Sequence, residues 1–417
     1  MPRLGAAAME SVVLDDAARE RLLLFVRKGL LLELDLWWLL LFPAFFGLGW
    51  FAARVDMRTV LKQAKAVPTG FFRGLDALVE DKTDIAASAL AEVARQQGSA
   101  LELQHTLGKL YRKRGENDRA IRLHQRMLDA PDLPAEHRDA VRFELAQDFR
   151  KAGLVDRAEE ILIKLQDGNM GLAARRQLLD IYQQDRDWHK AIATAKELRS
   201  DAHSFQHEVA QFYCELAQGE LYKSNSEQAR HYVEEAFTAN RKCVRASLIL
   251  GDIEFAGGHV EAAIAAWQNI EKQNYEYLSM AAERLFDAYE RLDKPLEGIA
   301  LLRGYQKTFP QLELTDLLYQ KIATYEGEEK ALEVAREGVH ARPSLSGVYR
   351  LIEAQMDELS PEGRMDAEVA RALVLKHAQR LSVHRCKCCN FRSRAFFWHC
   401  PACGEWEGFT ANRTESQ

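Results

Sequence analysis

Small residues recur along the middle of this chain at almost even steps. Ala86, Ala120, Ala158, Ala191, Ala229 and Ala263 are followed by Gly298 and Ala331, at intervals of 34, 38, 33, 38, 34, 35 and 33 residues. The clearest unit reads LGKLYRKRGENDRAIRLHQRML, with Leu107, Gly108, Tyr111, Gly115 and Ala120. The next reads LAQDFRKAGLVDRAEEILIKL, with Leu145, Ala146, Phe149, Gly153 and Ala158. In both, an aromatic stands three residues after the small residue, and the alanine nine residues after the aromatic. Each unit is expected to be two short amphipathic helices. The small residue of the first and the alanine of the second let the two approach closely, and the large apolar residues fill the seam to the next pair.

A period near 34 with this pattern resembles the tetratricopeptide repeat. About eight units are expected over residues 69–343, and Pro131, Pro310 and Pro343 fall where units should end. Two units are weaker: Glu220 and Glu254 occupy the aromatic position, with Tyr222 and Phe255 close by to compensate. The fold class is therefore all-α, a tetratricopeptide superhelical solenoid whose concave face suits a peptide or a protein. Only 10 prolines and 24 glycines interrupt 417 residues, and 47% hydrophobic with 28% charged residues is the composition of a folded chain. The array holds no Gly-rich phosphate loop, no HExxH and no nucleophile elbow, so an enzyme is not expected. His105, His124, His189 and His207 are scattered over helices and read as solvated or structural. The basic run YRKRGENDRAIRLHQR is interleaved with acids and reads as a solvated face. Residues 344–382 follow the array, and DAEVARALVLKHAQRL within them reads as one last amphipathic helix.

Ahead of the array, residues 36–53, LWWLLLFPAFFGLGWFAA, carry no charge. Eighteen helical residues span about 27 Å, near the thickness of a bilayer core. Trp37, Trp38 and Trp50 sit near the two ends, where indoles favour the membrane interface. The stretch is expected to be a transmembrane helix. Phe51 stands where a signal peptidase needs a small residue, which argues against cleavage. Arg3, Arg19, Arg21, Arg27 and Lys28 before the span balance Arg54, Arg58, Lys62, Lys65 and Arg73 after it, so the positive-inside rule is tied. Residues 1–35 form an N-terminal extension unlike the rest. If translation starts near LLELDLWW, only the following flank is basic and the body faces the cytoplasm. That orientation suits free thiolates.

Five of the seven cysteines lie near the C-terminal end, in VHRCKCCNFRSRAFFWHCPACGEWEGF. A metal knuckle needs two residues between its cysteines, so that the backbone turns and its N–H groups point at sulfur. Cys386 and Cys389 satisfy this, as do Cys400 and Cys403, giving C-x2-C-x10-C-x2-C with Cys388 as the spectator. The expected site is one metal ion, iron or zinc, held tetrahedrally by Cys386, Cys389, Cys400 and Cys403. His384 and His399 flank it and offer an alternative ligand set. A fold over residues 383–410 is too small to bury a core of its own, so the metal supplies much of its folding free energy. Phe391, Phe396, Phe397, Trp398, Trp406 and Phe409 are many aromatics for such a unit, and some are expected to dock on the last repeats. Cys214 and Cys243 stand alone in helical sequence and read as small buried hydrophobes.

One span followed by ARVD, the opening FFRGLDALVEDKTDIAASAL, the repeat LGKLYRKRGENDRAIRLHQRML and the knot CKCCNF…FWHCPACGEW come in an order that resembles one family. It is the lipopolysaccharide assembly protein B (LapB, also YciM) family of Gram-negative bacteria, and the likeness runs over about residues 33–410. The knot resembles rubredoxin as well as zinc ribbons. The resemblance implies regulation of lipopolysaccharide biosynthesis: a protein of the cell inner membrane, single-pass, with its repeat array and C-terminus in the cytoplasm. Its partners would be the FtsH protease, the deacetylase LpxC, whose degradation it promotes, the sensor PbgA (YejM) and lipopolysaccharide assembly proteins, with self-association into a homo-oligomer left open. Carried over, the metal ligands are Cys386, Cys389, Cys400 and Cys403. Two departures stand out: Asn390 replaces the usual glycine after the second ligand, and the N-terminal extension has no counterpart. A scaffold for envelope enzymes without a proteolytic role is the alternative. An electron carrier would leave the array superfluous. A nucleic-acid-binding ribbon sits badly with a net charge of −6 and an anchor, and no nucleic acid is expected.

Overall fold

The computed structural model describes residues 43, 45–54, 69–96, 101–198, 205–341, 343–356, 359–381 and 383–413. Of the expected membrane span, residues 43 and 45–53 are helical, and Phe45, Phe46, Leu48, Trp50 and Phe51 are exposed. The rest of that span and the extension 1–35 lie outside the described residues. Among the described residues no helix is long and apolar enough to cross a membrane.

Beyond it the chain is all-α, apart from a small C-terminal knot, and divides into two compact units at Ala120/Ile121. The first holds α1 (Thr69–Val79), α2 (Thr83–Gln96) and α3 (Leu101–Lys113), and α4 (Asn117–Asp129) runs across the division. Ala86 of α2 is fully buried among Leu90 and Val93. The basic run is laced with acids, as in Lys113–Asp81 at 2.7 Å and Arg114–Asp84 at 3.0 Å.

The second unit continues with α5 (Ala135–Lys151), α6 (Val155–Lys164), α7 (Gly171–Gln184), α8 (Trp188–Glu197), α9 (Gln206–Tyr222), α10 (Ser226–Ala239), α11 (Val244–Ala256) and α12 (Val260–Gln268). A short α13 (Ile270–Asn274) and a 3-10 turn at Tyr275–Tyr277 precede α14 (Leu278–Arg291), α15 (Pro295–Thr308), α16 (Thr315–Tyr325) and α17 (Glu328–Ala341). Successive helices pair as hairpins, α5 with α6 through to α16 with α17. Every small residue of the ladder lies in the second helix of its pair and is buried, the alanines among them at 0% exposure. The first helix answers with small residues of its own. A Cβ on Gly251 would stand 2.2 Å from the Trp267 indole nitrogen of the partner helix, so only glycine admits that ring.

The hairpins from that of Ala86 to that of Gly298 turn in the same way. Five residues before the ladder residue the backbone is left-handed at Asp81, Gly115, Gly153, Arg186, Ser224, Gly258 and Asp293, with φ of 56°, 78°, 79°, 58°, 60°, 83° and 63°. The next residue's N–H then reaches back to the carbonyl five residues earlier, as in Glu116 to Tyr111, Leu154 to Phe149 and Asn225 to Glu220, each at 2.9 Å. This closes the open carbonyls of the first helix.

The two weak units differ. Phe255 does pack beside Trp267, with ring centroids 5.8 Å apart, whereas Tyr222 is 89% exposed and compensates for nothing. Glu220 is held instead by Lys223 and Asn225. His124 is fully buried against Asp148, a structural role. The region after the array holds two helices, α18 (Leu345–Gln355) and α19 (Pro361–Leu381), and the second contains DAEVARALVLKHAQRL, the expected last helix. The Ser344 hydroxyl caps α18 by accepting from the Gly347 N–H at 3.0 Å, and proline opens α19.

Candidate metal centre

Residues 383–413 form a knot with little regular structure. β1 (His384–Arg385) pairs antiparallel with β2 (Arg392–Ser393), and single bridges join Cys386 to Phe409 and His399 to Trp406. The two knuckles are built alike. The Asn390 N–H donates to the Cys386 carbonyl and the Cys386 N–H to the Phe391 carbonyl. Gly404 to Cys400 and Cys400 to Glu405 repeat this, and all four bonds are 2.9 Å. A knuckle closed this way needs a left-handed residue after its second cysteine. Gly404 supplies it at φ 74° and Asn390 at φ 62°, so the departure from glycine leaves the turn intact.

The Sγ atoms of Cys386, Cys389, Cys400 and Cys403 lie within 4.8 Å of one another. Cys386 and Cys403 are 3.7 Å apart, as are Cys389 and Cys400. A disulfide would bring a pair to about 2.0 Å. A tetrahedron of sulfurs around a metal at about 2.3 Å has edges of about 3.8 Å. The spacing therefore fits one metal ion held by four thiolates. Burial opposes ionisation of Cys400, but the backbone N–H groups of Cys403 and Ala402, with the Cys403 and Cys389 thiols, outweigh it and bring the thiol down to about 7, while the neighbouring sulfurs push Cys389 and Cys403 up. Cys388 is exposed and outside the cluster. His384 Nδ1 bonds the Thr410 carbonyl at 2.9 Å, and the His399 ring lies 4.5 Å from that of Trp406, so neither histidine joins the sulfurs.

The knot does not cap the last repeats. It lies across the second unit, on residues from Gln183 of α7 to Glu313 between α15 and α16. Trp406 is 5% exposed, wedged edge-on against Trp188 and Phe212 at 6.1 and 5.8 Å, and its indole N–H donates to Gln183 at 3.2 Å. Trp398 stacks on Tyr277 at 5.5 Å under the Arg245 guanidinium. Trp398 touches the two large apolar clusters described in the unit, and so joins them. The Tyr277 hydroxyl donates to the Glu407 carbonyl at 3.2 Å, Lys387 pairs with Glu276 at 2.6 Å, and the Arg413 N–H donates to Glu313 at 3.2 Å. The Glu407 carboxylate accepts from Gln211 at 2.6 Å and stands 3.8 Å from His207. Burial raises the Glu407 carboxyl above its usual range, against the pull of His207, Gln211 and Arg245.

Sequence reasoning found the cysteines and missed this seat. Its residues are spread from Gln183 to Glu313, and no local pattern marks them. Cys214 and Cys243 are buried as expected, yet they are not alone. Their sulfurs lie 3.7 Å apart beneath the knot, and Gln211 reaches Cys243 as well as Glu407.

Three stretches match family models: residues 384–411 a rubredoxin metal binding domain of the LapB type, and residues 105–138 and 214–278 tetratricopeptide repeats. The chain is 29% identical over 372 residues to lipopolysaccharide assembly protein B of Escherichia coli K12, covering 88% of this chain and 95% of that one. To the protein of that name in Haemophilus influenzae it is 28% identical over 385 residues, covering 88% and 96%. Among solved structures, the C-terminal part of a repeat protein from Cytophaga hutchinsonii covers 63% of this chain and 98% of its own, at 11% identity and a TM-score of 0.35. The resemblance to lipopolysaccharide assembly protein B thus extends along nearly the whole chain and includes the metal-binding knot.

Proposed function

We propose, from the premise that this chain is similar over 88% of its length to lipopolysaccharide assembly protein B, that it serves lipopolysaccharide assembly as a non-catalytic adaptor of the inner membrane. In this reading residues 36–53 tether it, with the array and knot in the cytoplasm. Confinement to the bilayer raises its effective concentration near a membrane protease. The adaptor presents the deacetylase LpxC to FtsH under the control of PbgA (YejM), and Cys386, Cys389, Cys400 and Cys403 hold iron or zinc. The observation that carries the reading is the seating of the cysteine knot from α7 to the turn between α15 and α16: a metal so placed would fix the surface of a binding array.

The test is the lifetime of LpxC after translation is blocked. Host cells depleted of this protein would be complemented with the intact chain, a chain lacking residues 36–53, Cys400→Ser or Trp406→Ala. The expected result is a longer LpxC lifetime on depletion, rescued by the intact chain alone. An unchanged lifetime in every strain would sink the proteolytic role and leave a non-proteolytic scaffold for lipopolysaccharide assembly enzymes.

A further inference from the structure

The last helix leaves an apolar seam uncovered. Through Arg371, which pairs with Glu353, and the buried Ala378, α19 packs on α18. On the other side Met365, Val369 and Leu373 are 70, 62 and 54% exposed. At about 100° per residue, Glu362, Met365, Val369, Leu373, Lys376 and Arg380 all fall within about 40° of one line along the helix. Glu362, Val369 and Lys376 follow one another at the seven-residue spacing of a helix–helix seam. The end helix of a solenoid ordinarily turns a polar face outward. This one turns out a seam that is acidic at one end, aliphatic in the middle and basic at the other.

We infer that the seam takes a second copy of this chain, as an antiparallel pair of α19 helices with Val369 on the two-fold axis. The charge pattern chooses both the occupant and the direction. Met365 and Leu373 lie equally far from Val369, on either side, and so do Glu362 and Lys376. An antiparallel copy therefore sets Met365 on the partner's Leu373 and Glu362 on the partner's Lys376, with each pair made twice, as a two-fold interface requires. A parallel copy would set Glu362 on its own counterpart, and Lys376 likewise, and would be repelled. Glu362, Lys376 and Arg380 are exposed and pair with no described residue of their own chain, so they are available for this contact. One helix pair is a small interface, and association is expected in the micromolar range.

The experiment is sedimentation velocity of the intact chain in detergent, from about 1 to about 100 µM. The variants are Val369→Glu, Lys376→Glu and the double exchange Glu362→Lys with Lys376→Glu. The wild type should pass from monomer to dimer across the range. Val369→Glu should weaken the dimer at least about tenfold, Lys376→Glu should weaken it severalfold, and the double exchange should recover it. All the altered positions are exposed, and unchanged thermal melts would separate a lost interface from a lost fold. A wild type that stays monomeric would overturn the inference. So would a dimer that Val369→Glu and Lys376→Glu leave intact, or a double exchange that fails to restore what the single change removed.

Discussion

Five residues before each of the ladder residues from Ala86 to Gly298, one residue takes a backbone conformation that costs about 1 kcal/mol for anything but glycine. Three turns use glycine there, and four use Asp81, Arg186, Ser224 and Asp293. The fold thus carries removable strain. Ser224→Gly is expected to raise the midpoint of chemical denaturation, a gain of up to about 1 kcal/mol, while Gly153→Ala should lower it by about the same. Equal and opposite shifts at these two sites would mark the turn as the cause, and a loss in both would refute it. Gly115 and Gly153 could be read from sequence because glycine announces a turn. Arg186 and Ser224 could not, since no propensity favours them there. Only the distance to the ladder alanine, fixed by hairpin geometry, locates them.

The knot as an element owes its position to side chains rather than to backbone pairing. Trp406→Ala would empty a site between Trp188 and Phe212 and leave the Gln183 acceptor without its donor. The expected cost is about 3–5 kcal/mol, read as faster loss of the bound metal to a chelator. Glu407 adds a dependence on pH. Its carboxyl is raised in the seated knot by burial, so the seat favours the protonated form and weakens as pH rises from about 4.5 through the raised value. Glu407→Gln should therefore hold the knot more firmly than the wild type at neutral pH, with the difference shrinking as pH falls toward 5. A difference independent of pH would assign the effect to packing instead. The four clustered cysteines were legible because knuckle chemistry is local: a cysteine, two residues, a cysteine and a left-handed turn. The seat was not, because Trp406 and Glu407 meet partners about 200 residues earlier, and the period of the array says which helices pair but not which groove stays open.

Over the whole molecule, repeat arrays are stabilised by contacts between neighbours, so a perturbation in one hairpin ordinarily fades within one or two others. Here the knot crosses that rule. It ties Gln183 and Trp188 to Gln211 and Phe212, then to Tyr277 and Glu313, across four hairpins. A metal held by the four cysteines would offset the cost of ordering so small a unit. Removing the metal should therefore be felt far from the cysteines. Hydrogen exchange of the intact chain after chelation is expected to accelerate in residues 383–413 and, beyond them, in Gln206–Tyr222, Val244–Ala256 and Tyr275–Tyr277, where the seat lies. Exchange confined to residues 383–413 would mean that the hairpins stand without the knot. The metal would then act at a surface of its own and would not fix the array.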